Sequence, residues 1–350
     1  MNTIVDVKSI SCSYHKETVL DQLSFHVNKG QIACLLGPSG CGKTTALRTI
    51  AGFEAIDEGE IYLRGERVSS PTQALAPEKR KLGMVFQDYA LFPHMNLAKN
   101  IGFGLRNTDA STRNNRVTEL LDIVGLPGYQ QRYPHELSGG QQQRIALARA
   151  LASQPDLILM DEPFSNLDVE LREQLSYEVR HVLKSQNTTA IIVTHDQQEA
   201  FALADVIGVM NKGKILQWDT AFNLYHEPNH RFVADFVGQG VLMKGYSVSP
   251  SSVATEIGLI NGNRAYTWPK GTEVEVLLRP DDVVPDPNAE FKAEITHKAF
   301  KGAGILYTLK LPTGGKVLSV FPSHQNHEVG EQVGVRIDAD HLVAFYDNGL

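Results

Sequence analysis

"QIACLLGPSGCGKTTALRTIAG", residues 31–52, is the stretch of sequence that decides the fold. Its first part is an apolar run ending in glycine, typical of a buried strand, and its last part has the apolar spacing of a helix that ends at a glycine. Between them, residues 37–44 match the pattern G-x-x-x-x-G-K-[ST], in which glycines let backbone N–H groups turn toward a phosphate. A strand, a phosphate-binding loop and a helix in this order predict an α/β domain with a largely parallel sheet.

The side chains of this loop have distinct expected roles. Lys43 is expected to reach the β- and γ-phosphates of a nucleotide, and the Thr44 hydroxyl to be a ligand of Mg²⁺. Cys41 lies near the start of the helix, which favours a thiolate, so we expect a lowered thiol pKa and inactivation by alkylation, with protection by ATP. The predicted ATP-binding residues are Gly37, Pro38, Ser39, Gly40, Cys41, Gly42, Lys43, Thr44 and Thr45.

Two further apolar runs end in polar side chains: "DLILMDEP" (156–163) and "TTAIIVTHD" (188–196). Ligands of open α/β sheets bind at the carboxyl ends of the strands, so these side chains are expected near the phosphates. Asp161 is predicted to hold Mg²⁺ and Glu162 to polarise the attacking water. A phosphate-binding loop of this kind (a P-loop) needs an acid for the magnesium and a group that handles the attacking water. A solvated strand end is the alternative for the carboxylates, and a packed core histidine is the alternative for His195.

Length and composition limit the classes of protein. The 350 residues suggest two domains or one large domain with an appendage, and a formal net charge of −7 argues against nucleic acid as the main partner. We expect neither a membrane-spanning segment nor a signal peptide. Cys12, Cys34 and Cys41 lack metal-ligand spacing and cannot all pair, which fits a reducing cytosol.

The pattern changes twice along the chain. Between about residues 95 and 155 the periodicity becomes mainly helical, which predicts a helical subdomain (about 88–156) inserted into the α/β core. From about residue 241, short alternating runs such as "TEVEVLLRP" (272–280) predict a small all-β barrel or sandwich. The expected domains are residues 1–238 and 239–350.

A second glycine motif begins a helical stretch in "HELSGGQQQRIALARA", residues 135–150. Taken with the motifs above, it makes the chain resemble the ATP-binding subunits of ABC transporters, whose signature motif is LSGGQ. The resemblance implies that the second motif caps the γ-phosphate held by another copy, so that two ATP molecules lie within a head-to-tail homodimer. The signature residues acting on the second copy would be Ser138, Gly139, Gly140 and Gln141.

The resemblance implies further roles residue by residue. Tyr14 would stack on adenine, although a tyrosine that packs on a strand is the alternative. Gln87, in "MVFQDYALFPH", would contact Mg²⁺ and the attacking water and sense the permease; Asp168, in "SNLD", would lie in a loop crossing the dimer interface. His195 would contact the γ-phosphate. The implied catalytic residues are Glu162, His195 and Gln87, and the implied Mg²⁺ ligands are Thr44, Gln87 and Asp161.

The implied fold is an α/β P-loop NTPase, an ABC ATPase domain with its helical subdomain, followed by an OB-like, TOBE-type all-β domain. The segment "LLRPDDV" (277–283) resembles the accessory domain of importers for maltose, polyamines, sulfate, thiamine and ferric iron. The segment 85–105 is most similar to ferric-iron and polyamine importers, and the overall resemblance favours ferric iron. A permease helix is expected near Gln87, Tyr89, Phe92 and His94; local packing of these rings is the alternative.

The implied function is an ATP hydrolase that energises solute uptake. It would lie on the cytoplasmic face of the inner membrane as a peripheral homodimer, bound to permease subunits and served indirectly by a periplasmic solute-binding protein. An importer of another solute (polyamine, sugar, sulfate or thiamine) is the first alternative. An ABC ATPase of DNA repair or translation is the second; the sequence shows no coiled coil, zinc-binding cysteines or second cassette typical of that class.

Overall fold

The computed structural model describes residues 3–15, 17–105, 107–262 and 264–346. The chain divides into two compact units, Met1–Ala221 and Phe222–Leu350. The strands of the first unit are β1 (Thr3–Tyr14), β2 (Glu17–Asn28), β3 (Ile32–Leu36), β4 (Glu58–Leu63), β5 (Glu66–Ser70), β6 (Gln73–Ala74), β7 (Gly83–Val85), β8 (Leu157–Asp161), β9 (Thr189–Thr194), β10 (Val206–Asn211) and β11 (Lys214–Asp219). Its helices are α1 (Lys43–Ala51), α2 (Leu97–Ile101), α3 (Ala110–Ile123), α4 (Gly139–Leu151), α5 (Val169–Ser185) and α6 (Gln197–Leu203).

A mainly parallel sheet forms the centre of the first unit. Its strand order is β11-β10-β3-β9-β8-β7, and only the β10–β11 pair within this order is antiparallel. Every residue of β3, β8 and β9 is buried, which is why these strands are continuous apolar runs in the sequence. The predicted α/β core is confirmed, and the ends of β3, β9 and β8 meet at one edge.

An antiparallel sheet of order β2-β1-β4-β5-β6 packs on the same core. One buried cluster contains Ile10 and Leu63 of this sheet, Leu47 of α1 and Leu159 of β8. The helix that follows the phosphate-binding loop therefore shares a core with both sheets. This second sheet was not predicted from the sequence.

The buried side chain of Arg80 fixes the end of α1. Its guanidinium donates to the carbonyl oxygens of Thr49 (2.9 Å) and Ile50 (2.8 Å), and also to that of Leu75 (2.8 Å). Burial lowers the pKa of Arg80 to about 10. The last carbonyls of a helix lack partners within the helix. Arg80 supplies these partners at the C-terminal end of α1, the end opposite the phosphate-binding loop.

Helices lie between β7 and β8, as the periodicity indicated. The segment contains α2, α3 and α4, and its apolar faces share one buried cluster with the central domain through Leu120, Ile145, Ile158 and Leu175. Within the described part of the chain, no helix is both long enough and apolar enough to cross a membrane.

The second unit is rich in antiparallel strands, which confirms the predicted all-β accessory region. Its two five-stranded sheets have the orders β14-β13-β12-β15-β21 and β16-β20-β17-β18-β19 in the described residues, and one buried cluster draws on both. The elements are α7 (Ala221–His226), which begins at the division between the units, α8 (Arg231–Phe236), β12 (Val241–Ser249), β13 (Ser252–Thr255), β14 (Gly258–Asn261), β15 (Glu273–Leu278), β16 (Val283–Pro285), β17 (Lys292–Phe300), β18 (Gly304–Lys310), β19 (Lys316–Pro322), β20 (Gln332–Ile337) and β21 (Ala344–Phe345).

Helices α7 and α8 belong with these sheets, whereas the sequence suggested a boundary between residues 238 and 239. The reason is Arg279, which is buried after β15 and donates to the carbonyl oxygens of Tyr225, Ala234 and Gln239, each at 3.1 Å. A buried guanidinium needs such partners, so the segment that supplies them packs with the strand region. The contacts place the division at Phe222.

Candidate nucleotide-binding site

The phosphate-binding loop is arranged around the Lys43 side chain, which is 5% exposed. Its Nζ donates to the carbonyl oxygens of Gly37 (2.7 Å) and Pro38 (2.9 Å). Gly42 has a φ of 104° and directly precedes α1, a backbone conformation that glycine adopts without steric cost. Gly37 is required for space, because a Cβ there would lie 2.3 Å from the carbonyl oxygen of Met210. These constraints hold the ammonium group at the centre of the loop.

The Mg²⁺ ligands expected from the sequence are partly brought together. The Thr44 hydroxyl donates to Oδ1 of Asp161 at 2.9 Å, joining the start of α1 to the end of β8. Burial raises the pKa of Asp161, and the Thr44 hydrogen bond opposes that rise. A divalent cation would offset the same desolvation, and hard cations prefer carboxylate and hydroxyl oxygens. The donor chemistry of this pair therefore fits Mg²⁺.

Glu162 has an unusual backbone conformation, with a φ of 43°. Its N–H donates to the Val193 carbonyl at 2.9 Å, and its own carbonyl accepts from the Ser165 N–H at 3.3 Å. A left-handed conformation costs a non-glycine residue about 1 to 2 kcal/mol, so the neighbouring strands must hold it in place. Its Oε1 lies 3.3 Å from Nδ1 of His195.

A cavity of about 230 Å³ joins the phosphate-binding loop to the Glu162 carboxylate. It combines the N–H groups at the start of α1, the Lys43 ammonium and a carboxylate at its edge, which are the groups that phosphate binding and water activation require. Its lining residues are Val19, Ser39, Gly40, Gly42, Lys43, Thr44, Thr45 and Glu162.

The predicted lowering of the Cys41 pKa is wrong. The side chain is 4% exposed, and its Sγ accepts from Nζ of Lys43 at 3.8 Å. Burial raises the pKa of the thiol, and the neighbouring ammonium only partly opposes this effect. Because desolvation outweighs the favourable charge and helix end, the thiolate is disfavoured.

Tyr14 and Gln87 lie outside the lining of this cavity. Tyr14 ends β1 and is 38% exposed; burial and then the Glu54 carboxylate raise its pKa, while the Thr45 hydroxyl opposes this rise. Gln87 is exposed in the loop after β7, and its carbonyl accepts from Nδ2 of Asn166 at 3.0 Å. Tyr14 is thus tied to the phosphate-binding region, and Gln87 to the loop that follows β8.

The signature serine and Asp168 both cap helices of their own chain. Oγ of Ser138 accepts from the Gln141 N–H at 3.4 Å, and Oε1 of Gln141 accepts from the Ser138 N–H at 3.1 Å. Ser138 and Gly139 are exposed, whereas Gly140 is buried, where a Cβ would lie 2.9 Å from Leu175. Oδ1 of Asp168 accepts from the Leu171 N–H at 3.0 Å. Ser138 and Gly139 are thus presented to solvent at the capped start of α4.

One arginine that sequence reasoning missed connects two of these loops. Arg172 of α5 donates to Oδ2 of Asp196 (2.8 Å) and to the carbonyl of Leu167 (3.0 Å). Asp196 follows His195 and caps α6 by accepting from the Gln198 N–H at 2.8 Å. Arg172 therefore fixes the loop of Asp168 relative to that of His195. An arginine one turn into an amphipathic helix carries no sequence signal for such partners.

Known proteins match both units. Residues 20–165 match the family model described as "ABC transporter", and residues 276–345 match that described as "TOBE domain". The "Spermidine/putrescine import ATP-binding protein PotA" of Clostridioides difficile (strain 630) is 38% identical over 346 residues, which cover 96% of each chain. The structure of cbiO1 from Clostridium perfringens, part of the ABC transporter complex cbiONQ, matches at a TM-score of 0.58 and 23% identity. That match covers 63% of this chain and 89% of the other, and shows a shared fold.

Each family match lies within one of the two units of the chain. The phosphate-binding loop and the signature motif both lie within the residues that match the ABC transporter model, and the TOBE match lies in the antiparallel sheets of the second unit. The chain belongs to the ATP-hydrolysing subunits of ABC importers, with a P-loop NTPase domain followed by a TOBE domain.

Proposed function

We propose that this chain energises solute uptake through a membrane permease by hydrolysing ATP at sites shared between two copies. The observation that carries the proposal is the cavity joining Lys43 and Thr44 to Glu162, with Asp161 hydrogen-bonded at its edge. These groups supply what phosphoryl transfer to water requires: charge stabilisation, a metal-binding carboxylate and a base beside the water.

Each residue then has a defined part. The Lys43 ammonium and the loop N–H groups bind the phosphates, and Thr44 and Asp161 hold Mg²⁺, which neutralises phosphate charge when bound. Glu162 would orient the attacking water and accept its proton, and His195, whose Nδ1 lies 3.3 Å from Oε1 of Glu162, would contact the γ-phosphate. Gln87 would contact Mg²⁺ and the attacking water, and Tyr14 would stack on adenine; both residues lie outside the lining of the cavity described above.

The second copy supplies the remaining contacts in a head-to-tail homodimer. The proposed contacts are Ser138, Gly139, Gly140 and Gln141 at the start of α4, and the exposure of Ser138 and Gly139 supports a role toward another chain. Asp168 would lie at the interface between the two copies. Arg172 connects its loop to the loop of His195 through hydrogen bonds to the Leu167 carbonyl and to Asp196.

We propose a groove of about 380 Å³ as the docking site of a permease helix. Phe86, Ala90, Phe92 and Phe103 are among its lining residues, which gives an apolar surface next to Gln87. Tyr89 is only 5% exposed, so the ring contacts are assigned to the phenylalanines rather than to it. Docking there would place the chain on the cytoplasmic face of the inner membrane, with a periplasmic solute-binding protein as an indirect partner.

For the solute, we place a polyamine first. The relative that is 38% identical over nearly the whole chain is named for spermidine and putrescine import. Ferric iron, which the overall resemblance of the sequence favoured, is the second candidate, and the 38% identical relative does not support it. The described side chains of the site are suited to bind a nucleotide and not the transported solute. A transport measurement is therefore needed to identify the solute.

The test compares uptake of radiolabelled spermidine and ferric iron in cells that lack the chain. We expect the wild-type chain to restore spermidine uptake and Glu162→Gln to fail, whereas Glu170→Gln, an exposed change in the first turn of α5, restores it. Restoration of iron uptake alone would reverse the solute assignment. Restoration of neither, with co-purification of the chain with ribosomes or DNA, would overturn the transport function.

A further inference from the structure

Two consecutive residues after Gln87 have left-handed backbone conformations. The φ angles are 61° at Tyr89 and 46° at Ala90. Both residues carry a Cβ, so this geometry is strained and persists only where surrounding contacts hold it. The Tyr89 side chain is buried, and among the described residues its hydroxyl has no hydrogen-bond partner. The loop therefore needs an external support.

Arg149 supplies that support. Its two terminal nitrogens donate to the carbonyl oxygens of Tyr89 (2.9 Å) and Ala90 (2.6 Å), and its guanidinium lies 5.6 Å from the centre of the Phe92 ring. Burial lowers the pKa of Arg149, with the Asp88 carboxylate opposing this effect. Two charge-assisted hydrogen bonds to successive carbonyls give both strength and a fixed orientation.

The position of Arg149 on α4 connects this loop to the signature motif. Ser138 caps the start of α4, and Arg149 lies in its last turn, before the helix ends at Leu151. At a rise of about 1.5 Å per residue, the α-helix puts about 16 Å between Ser138 and Arg149. A displacement at the signature end is therefore passed along the helix to the carbonyls of Tyr89 and Ala90.

We propose that Arg149 is a positioning residue that makes the loop of Gln87 move with the signature helix, so that closure on ATP reaches the permease groove. The inference rests on the proposed function, because it assigns a route between the nucleotide and the permease. Ala90, Phe92 and Arg149 itself line the groove, so the hold of Arg149 on the backbone at Tyr89 and Ala90 also sets the shape of that surface.

Lysine cannot replace this arginine. An ammonium group is a single point of charge, whereas the guanidinium presents parallel N–H groups that reach two carbonyls together. Arg149→Lys keeps the charge and most of the length, and removes the paired contact to the two carbonyls together with the guanidinium that lies near the Phe92 ring. Arg144→Lys on the same helix is the matched control, because Arg144 pairs with Glu178 at 2.5 Å, away from the Gln87 loop.

The experiment measures ATP hydrolysis by the isolated subunit and by the reconstituted permease complex. For Arg149→Lys we expect basal hydrolysis and KM for ATP close to those of the wild type, but permease stimulation reduced about tenfold because positioning is lost. Amide hydrogen exchange across residues 87–92 should accelerate in Arg149→Lys and stay unchanged in Arg144→Lys. Both variants are first checked for an unchanged unfolding midpoint.

A second substitution distinguishes positioning from simple damage. Glycine adopts the conformation of Ala90 without a Cβ penalty, so Ala90→Gly combined with Arg149→Lys should recover part of the lost stimulation. Stimulation of Arg149→Lys at the wild-type level, or a loss that Ala90→Gly leaves unchanged, would overturn the inference. An absence of stimulation in the wild-type complex would instead overturn the proposed function.

Discussion

Cys41 lies beside an ammonium group and the start of a helix, two features that lower a thiol pKa, and yet its pKa is raised. The sequence shows both charged features but not the enclosure of the side chain by the loop and by the strands beside it. Burial also raises the pKa of Cys12 and Cys34. Protonation at such positions depends on packing, which a local motif does not report.

All three thiols should therefore react slowly in the folded chain. We expect a thiol-reactive disulfide reagent at pH 7 to modify the native protein more than about tenfold more slowly than the same chain in urea, because the thiolate is the reacting form. Cys41→Ser should retain ATP hydrolysis. A fast-reacting thiol in the wild type that is absent from Cys41→Ser would contradict this prediction and restore the reactive-loop hypothesis.

Asp282 of the second unit predicts a pH dependence. Burial raises its pKa to about 6, although its Oδ2 accepts from the Arg279 N–H at 2.7 Å. Between about pH 4 and 6 the folded chain keeps a proton that the unfolded chain has lost, so the free energy of unfolding falls as pH rises. At pH 7 this group lowers stability by about 2 kcal/mol relative to pH 4.

Asp282→Asn should remove that loss. We expect the variant to gain stability relative to the wild type as pH rises from 4 to 7, measured by urea unfolding, because the amide carries no charge to bury. Asp235→Asn, an exposed change in α8, is the control and should show a constant difference. An Asp282→Asn difference that is equally constant would contradict the prediction.

At the scale of elements, Ser138 has two separable roles. In its own chain it caps α4, and the proposed dimer gives it a γ-phosphate contact. Aspartate caps helices as well as serine does but adds a negative charge. Ser138→Asp should keep the wild-type stability and lose hydrolysis, because the carboxylate would repel the phosphate.

Ser138→Ala should show the opposite result: it should lose stability and keep part of the ATP hydrolysis. Loss of the cap costs about 1 kcal/mol of stability, while the N–H groups at the start of α4 remain to bind phosphate and preserve part of the hydrolysis. Asp109→Ala, which removes the cap of α3, controls for stability loss without an effect on hydrolysis. Thermal unfolding and ATPase rates measure both. Equal loss of stability in Ser138→Asp and Ser138→Ala would contradict the capping role.

Some elements could be predicted from the sequence because their burial is uniform. Strands β3, β8 and β9 are buried along their whole length, and α1 ends directly before Gly52, as the pattern indicated. Strands β1 and β2 pair with several register shifts, including one between Val7 and Ile10. Such bulges break the alternation that marks a strand, which explains why the antiparallel sheet was missed.

At the scale of the whole molecule, the proposed dimer can be tested by mixing two inactive chains. One carries Lys43→Ala and the other Ser138→Arg, so only a mixed dimer contains a site with both motifs intact. Random pairing should give about a quarter of the wild-type hydrolysis, since half of the dimers are mixed and each has one of two sites intact. Each mutant alone should be inactive.

Recovered activity would support a site built across two chains. If every mixture stays inactive, ATP-dependent dimerisation of Glu162→Gln decides the outcome: a dimer means that both sites must work together, and a monomer contradicts the shared site.

The motifs allowed the family to be predicted from the sequence, because they report nucleotide chemistry. They left the solute open, because nucleotide chemistry is common to importers of different solutes.

The left-handed backbone of Glu162 sets stability against activity at a single position. Glycine or asparagine would relax this conformation, so either replacement should raise the melting temperature while removing the carboxylate that activates water. A library of this chain screened only for heat resistance would therefore enrich inactive proteins at position 162. Engineering of a thermostable version has to leave this residue fixed and gain its stability elsewhere.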